Sequence, residues 1–198
     1  MEIRPATFAD LETLERLRLQ TFSATDTSTL RHVPQDVQLQ VRLNMWQFTQ
    51  NVLKGLLVAW DDDQLVGTVA IGTTETTLRF AWAQLAALRH LGLWPMMRYL
   101  GVWALTHYEP APQEAYLYGI VVAPAYRRRG LAAELMNTAE AQARGWGKQL
   151  ATGFIERSNT PSLQMVQKLG YQRVEQQRNA LRRILTPNPI FVRVEKPL

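Results

Sequence analysis

The run Tyr116-Leu-Tyr-Gly-Ile-Val-Val-Ala-Pro-Ala-Tyr-Arg-Arg-Arg-Gly-Leu-Ala-Ala-Glu-Leu-Met136 carries an apolar strand pattern through a tight basic turn and straight into a helix. A helix that starts at a glycine-containing turn aims unpaired backbone N–H groups, and the positive end of its dipole, at whatever lies before it. Arg127, Arg128 and Arg129 bring guanidinium groups to the same small volume, which would suit a pyrophosphate. In the pattern Arg127-x-x-Gly130-x-Ala132, Gly130 lets backbone approach a ligand without a Cβ in the way, and Ala132 keeps the first helical turn thin. Neither Gly-x-x-x-x-Gly-Lys nor Gly-x-Gly-x-x-Gly occurs, so the common nucleotide-loop readings fail. An arginine-rich surface turn is the plainer reading of the same residues.

The segment resembles the acyl-CoA-binding motif of the GNAT superfamily of N-acetyltransferases, Gln/Arg-x-x-Gly-x-Gly/Ala after a strand ending in apolar-Val-x-Pro. The matching residues are Ile120-Val-Val-Ala-Pro124 and Tyr126-Arg127-Arg-Arg-Gly130-Leu-Ala132. A second motif follows at the right distance: Asn159-Thr-Pro-Ser-Leu-Gln-Met-Val-Gln-Lys-Leu-Gly-Tyr171 is similar to the family's Asn-x-x-Ala-x-x-Leu-Tyr-x-x-x-Gly-Phe. The resemblance implies that Ile120, Val121 and Val122 present backbone to the acyl and pantetheine end of acetyl-CoA. It implies that Arg127, Arg128, Arg129, Gly130, Leu131 and Ala132 hold the pyrophosphate, and that Asn159, with Ser162 beside it, contacts the pantetheine arm. The alternative for Asn159 is a helix cap before Pro161.

The reaction implied is direct transfer of an acyl group, acetyl first, to a primary amine. The enzyme aligns thioester and neutral amine and stabilises the developing oxyanion, and a base or water chain must take a proton from the amine. The family often places a Glu near the start of the fourth strand. Here that position is Tyr116, with Glu114 two residues earlier on the same strand face. Glu114 is the base candidate, against a solvated loop carboxylate, and Tyr116 is the second catalytic candidate, against a packing role. The family's tyrosine acid falls on Val166, which has no proton to give. Water, Tyr118 or Ser162 would have to substitute, or else the protein is a non-catalytic acyl-CoA-binding regulatory module.

The 198 residues are 46% hydrophobic and include 22 Lys+Arg against 17 Asp+Glu, a net charge of +5. That suits one domain, spanning 1–198, and an anionic ligand. Only Lys54, Lys148, Lys168 and Lys196 are lysines, so the basic character is mostly arginine and suited to bidentate contacts. No nucleic-acid motif is present. The absence of cysteine and the wide spacing of His32, His90 and His107 lead us to expect no metal. The N-terminus has no signal pattern, which points to the cytoplasm.

The elements that must position these residues read as follows. Ile3-Arg-Pro is a short strand, and Thr7-x-x-Asp10 is a capping box for a helix with Leu11, Leu14, Leu17 and Phe22 at helical spacing. Ser23 to Leu30 reads as a loop. A second helix runs from Pro34 through Val37, Val41, Met45 and Val52 to a stop at Gly55, and Leu56–Trp60 and Leu65–Ile71 form a hairpin around Asp61-Asp-Asp-Gln. Residues 76–113 form a helical insertion, one helix marked by Leu78, Trp82, Leu85 and Leu88, the other by Met96, Leu100, Trp103 and His107 after Pro95. It reads as core completion, as a lid over the acceptor, or as a dimer or membrane surface; its charges disfavour a bilayer-spanning helix. After Ala115 come the strand, the turn and a helix with Leu131, Leu135 and Ala139 inward and the Glu140–Arg144 pair outward. Leu150–Ile155, a helix over Pro161–Leu169, Tyr171–Gln177, an irregular link over Asn179–Pro189 and Ile190–Val194 complete the chain. The expected fold is α/β (α+β) and GNAT-like. It has a mixed, mostly antiparallel sheet of about seven strands flanked by helices, with the insertion between the third and fourth strands.

Overall fold

A computed structural model describes residues 1–23, 33–46, 53–76, 92–178 and 190–198. The expected helix over Leu78–Leu88, the Val52 end of the second helix, most of the Ser23–Leu30 loop and the Asn179–Pro189 link lie outside them; Ser23 itself closes a helix. Seven strands form one sheet: β1 (Glu2–Pro5), β2 (Leu56–Asp61), β3 (Gln64–Gly72), β4 (Glu114–Val122), β5 (Leu150–Glu156), β6 (Gln172–Arg178) and β7 (Ile190–Pro197). Their order is β1-β2-β3-β4-β5-β7-β6, and every pairing is antiparallel except β4 with β5. Five helices accompany it among the described residues: α1 (Leu11–Ser23), α2 (Gln35–Trp46), α3 (Leu93–Thr106), α4 (Leu131–Gly145) and α5 (Thr160–Lys168).

The apolar periodicities decide which faces meet. β3 is buried from Leu65 to Gly72, a run of apolar and small residues that fits a strand covered on both faces. Its Gly67 leaves room for Leu135 and Leu131 of α4, while α1 packs over β3 and β4 from the other side. Leu14, Leu56, Leu57, Val58, Val66 and Leu135 are among the residues with almost no exposed area. Pairing of Asp61 with Gln64 makes the expected hairpin around Asp62 and Asp63, with Asp62 in the left-handed region (φ 49°). The capping box also forms: Asp10 accepts the Thr7 amide at 2.6 Å and hydroxyl at 2.8 Å, and binds both ends of the Arg4 guanidinium at 2.8 Å. It closes a single 3-10 turn, Phe8–Asp10, which runs directly into α1.

One expectation is overturned. Glu140 does not lie on the outer face of α4; it is 2% exposed, and it accepts from the Tyr171 hydroxyl at 2.9 Å and the Lys196 ammonium at 2.6 Å. Arg144 still reaches it, at 3.5 Å. The pair spacing was sound, but positions 139, 140 and 143 all turn inward, where a carboxylate persists only because three donors meet it.

Candidate acyl-transfer site

β4 and β5 run side by side for only three residue pairs, Glu114 with Leu150, Ala115 with Ala151 and Tyr116 with Thr152. Beyond them β4 continues to Val122 on β3 alone, and β5 continues to Glu156 on β7 alone. The sheet therefore opens in its middle. On the β4 side of the opening the strand breaks register with β3 between Thr68 and Ala70, and Gly119 takes φ +63°. A β-bulge of this kind re-aims the next backbone groups, here those of Ile120 to Val122, away from the regular ladder.

β4 then ends in the 3-10 turn Pro124–Tyr126 and the basic turn. Arg128 sits at φ +61° and Gly130 at φ +87°, and Gly130 is the N-cap of α4 with no side chain closing it. A Cβ at Gly130 would meet nothing within 4 Å, so glycine is required by the backbone angle while the space in front stays open. The first amides of α4 to find a backbone acceptor are those of Ala133 and Glu134, both on the Gly130 carbonyl. The amides of Leu131 and Ala132 are among those a helix start leaves without an intrahelical partner. Arg127, Arg128 and Arg129 are exposed around this opening. Arg127 Nε donates to the Val122 carbonyl at 3.1 Å, and the Arg129 guanidinium lies 5.4 Å from the Tyr126 ring centre, whose hydroxyl donates to Asp61 at 2.9 Å. Preformed donors, an open approach and three exposed cations are what a diphosphate needs.

Asn159 performs the capping role considered for it: its Oδ1 accepts the Ser162 amide at 3.2 Å at the head of α5. Its NH2 group is not used in that bond. Val166, at the position where the family carries tyrosine, is 3% exposed and packed in the core.

Glu114 is not a solvated loop residue. It is 3% exposed, and its Oε1 accepts from the Tyr108 hydroxyl at 2.6 Å and from the Thr152 hydroxyl, with Arg193 at 3.7 Å. Its Oε2 accepts the Ala111 amide at 3.0 Å. Burial, followed by the hydrogen bond to Glu114, pushes the Tyr108 phenol far above its usual range, so it stays protonated. Tyr108 also meets Tyr116 and Phe154 edge-on at 5.1 and 5.0 Å, and Tyr116 stacks on Tyr118 at 5.1 Å. Along one face of the sheet this makes an aromatic strip from Glu114 to the bulge. The phenol of Tyr118 is also raised by burial. The partners of Glu114 were not expected from the sequence, because Tyr108, Thr152 and Arg193 come from three separate segments. The Glu-x-Tyr-x-Tyr alternation from Glu114 to Tyr118 was the available signal for the shared face.

The family model described as the acetyltransferase (GNAT) family matches residues 26–171. The chain belongs to the GNAT acetyltransferase family. It is therefore an N-acetyltransferase, and the family uses acetyl-CoA on amine acceptors. Similar solved structures include an N-acetyltransferase from Staphylococcus aureus Mu50 (TM-score 0.70, 16% identity, covering 99% of this chain and 100% of that one). A ribosomal-protein-alanine N-acetyltransferase from Brucella melitensis has TM-score 0.62 at 18% identity, with full coverage of both chains. A Bacillus subtilis acetyltransferase in complex with CoA has TM-score 0.57 at 15% identity, covering 100% of this chain and 97% of that one. At these identities they share the fold with this GNAT chain. No curated protein sequence matches it. Among the described residues, no helix is long and apolar enough to cross a membrane and no group of three His, Cys, Asp or Glu residues is placed to hold a metal.

Proposed function

We propose that this GNAT domain transfers the acetyl group of acetyl-CoA to a primary amine by direct attack, with the coenzyme lying in the opening between β4 and β5. The observation that supports this most is the end of the β4–β5 ladder at Tyr116 and Thr152, from which β4 leads through Val122 and the basic turn to the open, uncapped head of α4. The backbone of Ile120 to Val122 takes the pantetheine and thioester. The amides of Leu131 and Ala132 and the side chains of Arg127 to Arg129 take the pyrophosphate, and Asn159 donates its NH2 to the pantetheine arm. The amine nitrogen attacks the thioester carbon, the C–N bond forms, the C–S bond breaks and the electron pair leaves on sulfur.

Glu114 fastens the site in this reading and does not act as the base. Both its oxygens are engaged by donors, and proton removal from the amine falls to water in the opening. With Val166 in the core, Tyr118 or Ser162 supplies the hydrogen bond to the departing thiolate. Tyr118 remains protonated at neutral pH because burial raises its phenol.

Calorimetric titration with coenzyme A tests the donor site, and release of free thiol from acetyl-CoA against a panel of amines tests transfer. Saturating coenzyme at about a hundred times its Kd is expected to add about 2.7 kcal/mol of stability, visible as a rise in Tm. Arg129→Glu combined with Gly130→Glu is expected to abolish both the heat of binding and the Tm rise while the far-ultraviolet circular dichroism is retained. Unaltered coenzyme affinity in that variant would overturn the reading.

A further inference from the structure

A second charged cluster lies on the face of the sheet that carries the aromatic strip, beside the bulge of β4. Glu15 on α1 is 2% exposed, and its Oε1 accepts from Arg18 Nη1 at 3.0 Å and from the Trp46 indole at 3.1 Å. Its Oε2 accepts from Arg42 Nη1 of α2 at 3.3 Å. Arg18 is 11% exposed, and a Cβ built on Gly119 would lie 3.4 Å from its Nη2, so the guanidinium rests on the bulge itself. Among the described residues, two guanidinium groups face one carboxylate, which leaves one positive charge in excess.

Two polar atoms of this cluster, Arg18 Nε and Arg42 Nε, are buried with no hydrogen-bond partner, as is Thr21 Oγ1 on α1. Thr21 is three residues from Arg18, on the same face of α1. Buried donors are nearly always satisfied, and a buried excess charge is costly unless met by its opposite. The phenols of Tyr99 and Tyr118, which feel Arg42 and Arg18 respectively, are both raised by burial and stay neutral, so they do not balance the charge. Arg42 is 28% exposed, so a ligand approaches the cluster on the Arg42 side, and the buried atoms meet it only as these side chains shift.

We infer that Arg18, Arg42 and Thr21 receive a carboxylate of the acceptor, close to its amine, which makes the acceptor a free amino acid or a similar small monoanionic amine. The inference rests on the proposed acetyl transfer and names its substrate class. One unit of excess charge matches a monoanion, and the planar fork of Arg18 suits a carboxylate. Its place on the bulge, rather than at the turn that ends β4, puts the anion beside the thioester end of the opening and away from the pyrophosphate.

The test compares L-amino acids with their own amides as acceptors in the thiol-release assay, with calorimetry of coenzyme A run in parallel. The amide has the less basic amine and would be the faster set on nucleophile availability alone. The expected result is a kcat/KM about ten- to a hundredfold higher for the carboxylates, carried mainly by KM. Arg18→Gln, and the charge-matched Glu15→Gln with Arg18→Gln, are expected to shrink that ratio to near one while coenzyme affinity stays intact. The inference fails if coenzyme binds and the amides match or exceed the acids, or if coenzyme binds and no carboxylate-bearing amine releases thiol. An absence of coenzyme binding would instead remove the acetyl-transfer reading on which the inference depends.

Discussion

Single side chains in this domain are chosen by how many donors can reach a buried oxygen. Glu114 gathers two hydroxyls, an amide and a guanidinium, so the carboxylate that the family resemblance marks as a base candidate is bound into the structure. Replacing it separates the two roles. Glu114→Ala is expected to lower stability by about 3 kcal/mol or more, because several buried donors lose their acceptor at once, as read by urea denaturation. Glu114→Gln keeps most of the shape and part of the acceptor capacity, and its kcat/KM is expected to keep the same pH profile as the parent at a modestly lower level. Loss of the titrating limb would show that Glu114 is the base after all. The sequence made Glu114 and Tyr116 visible as neighbours on one strand face. It could not show the contacts to Tyr108, Thr152 and Arg193, since no local spacing links residues 85 positions apart at the extremes.

Elements here are legible in proportion to how local their causes are. The hairpin at Asp61–Gln64, the Thr7–Asp10 capping box and the glycine-led start of α4 each depend on a few adjacent residues, and each forms as read. Glu140 was misread as outward because the i,i+4 rule reports a pair and not a direction. Its inward partners, Tyr171 and Lys196, arrive from other elements. The entry to α1 yields a pH prediction. The hydrogen bond from Arg4, aided by Thr7, holds the Asp10 carboxyl down to about 2, against an ordinary value near 3.8. A carboxyl depressed on folding stabilises fully above its unfolded value, and the contribution drains away as the pH falls from about 4 toward 2. Asp10→Asn is therefore expected to cost on the order of 1–2 kcal/mol at pH 7 and almost nothing near pH 2. Equilibrium denaturation at the two pH values checks it, and an equal loss at both would refute the linkage.

At the scale of the whole molecule, the fold class and the strand-turn-helix seat followed from alternation and punctuation. The charge cluster on Glu15 did not, because it needs α1, α2 and the bulge of β4 in one place. The net charge of +5 says only that anions are welcome; Arg18 and Arg127 to Arg129 are where the two proposed anions would sit. The short parallel ladder has a mechanical corollary. Four strands lie on one side of it and three on the other, so two internally well-bonded plates share a seam three residue pairs long. Main-chain amides along that seam are expected to exchange with deuterium through a partial opening well below the global unfolding free energy, while the centre of β3 exchanges only by full unfolding. A guest chain bridging the plates would act as a splint, and seam protection should rise with coenzyme A concentration faster than protection in β3. Substrate capture and the stiffening of the sheet would then be one event.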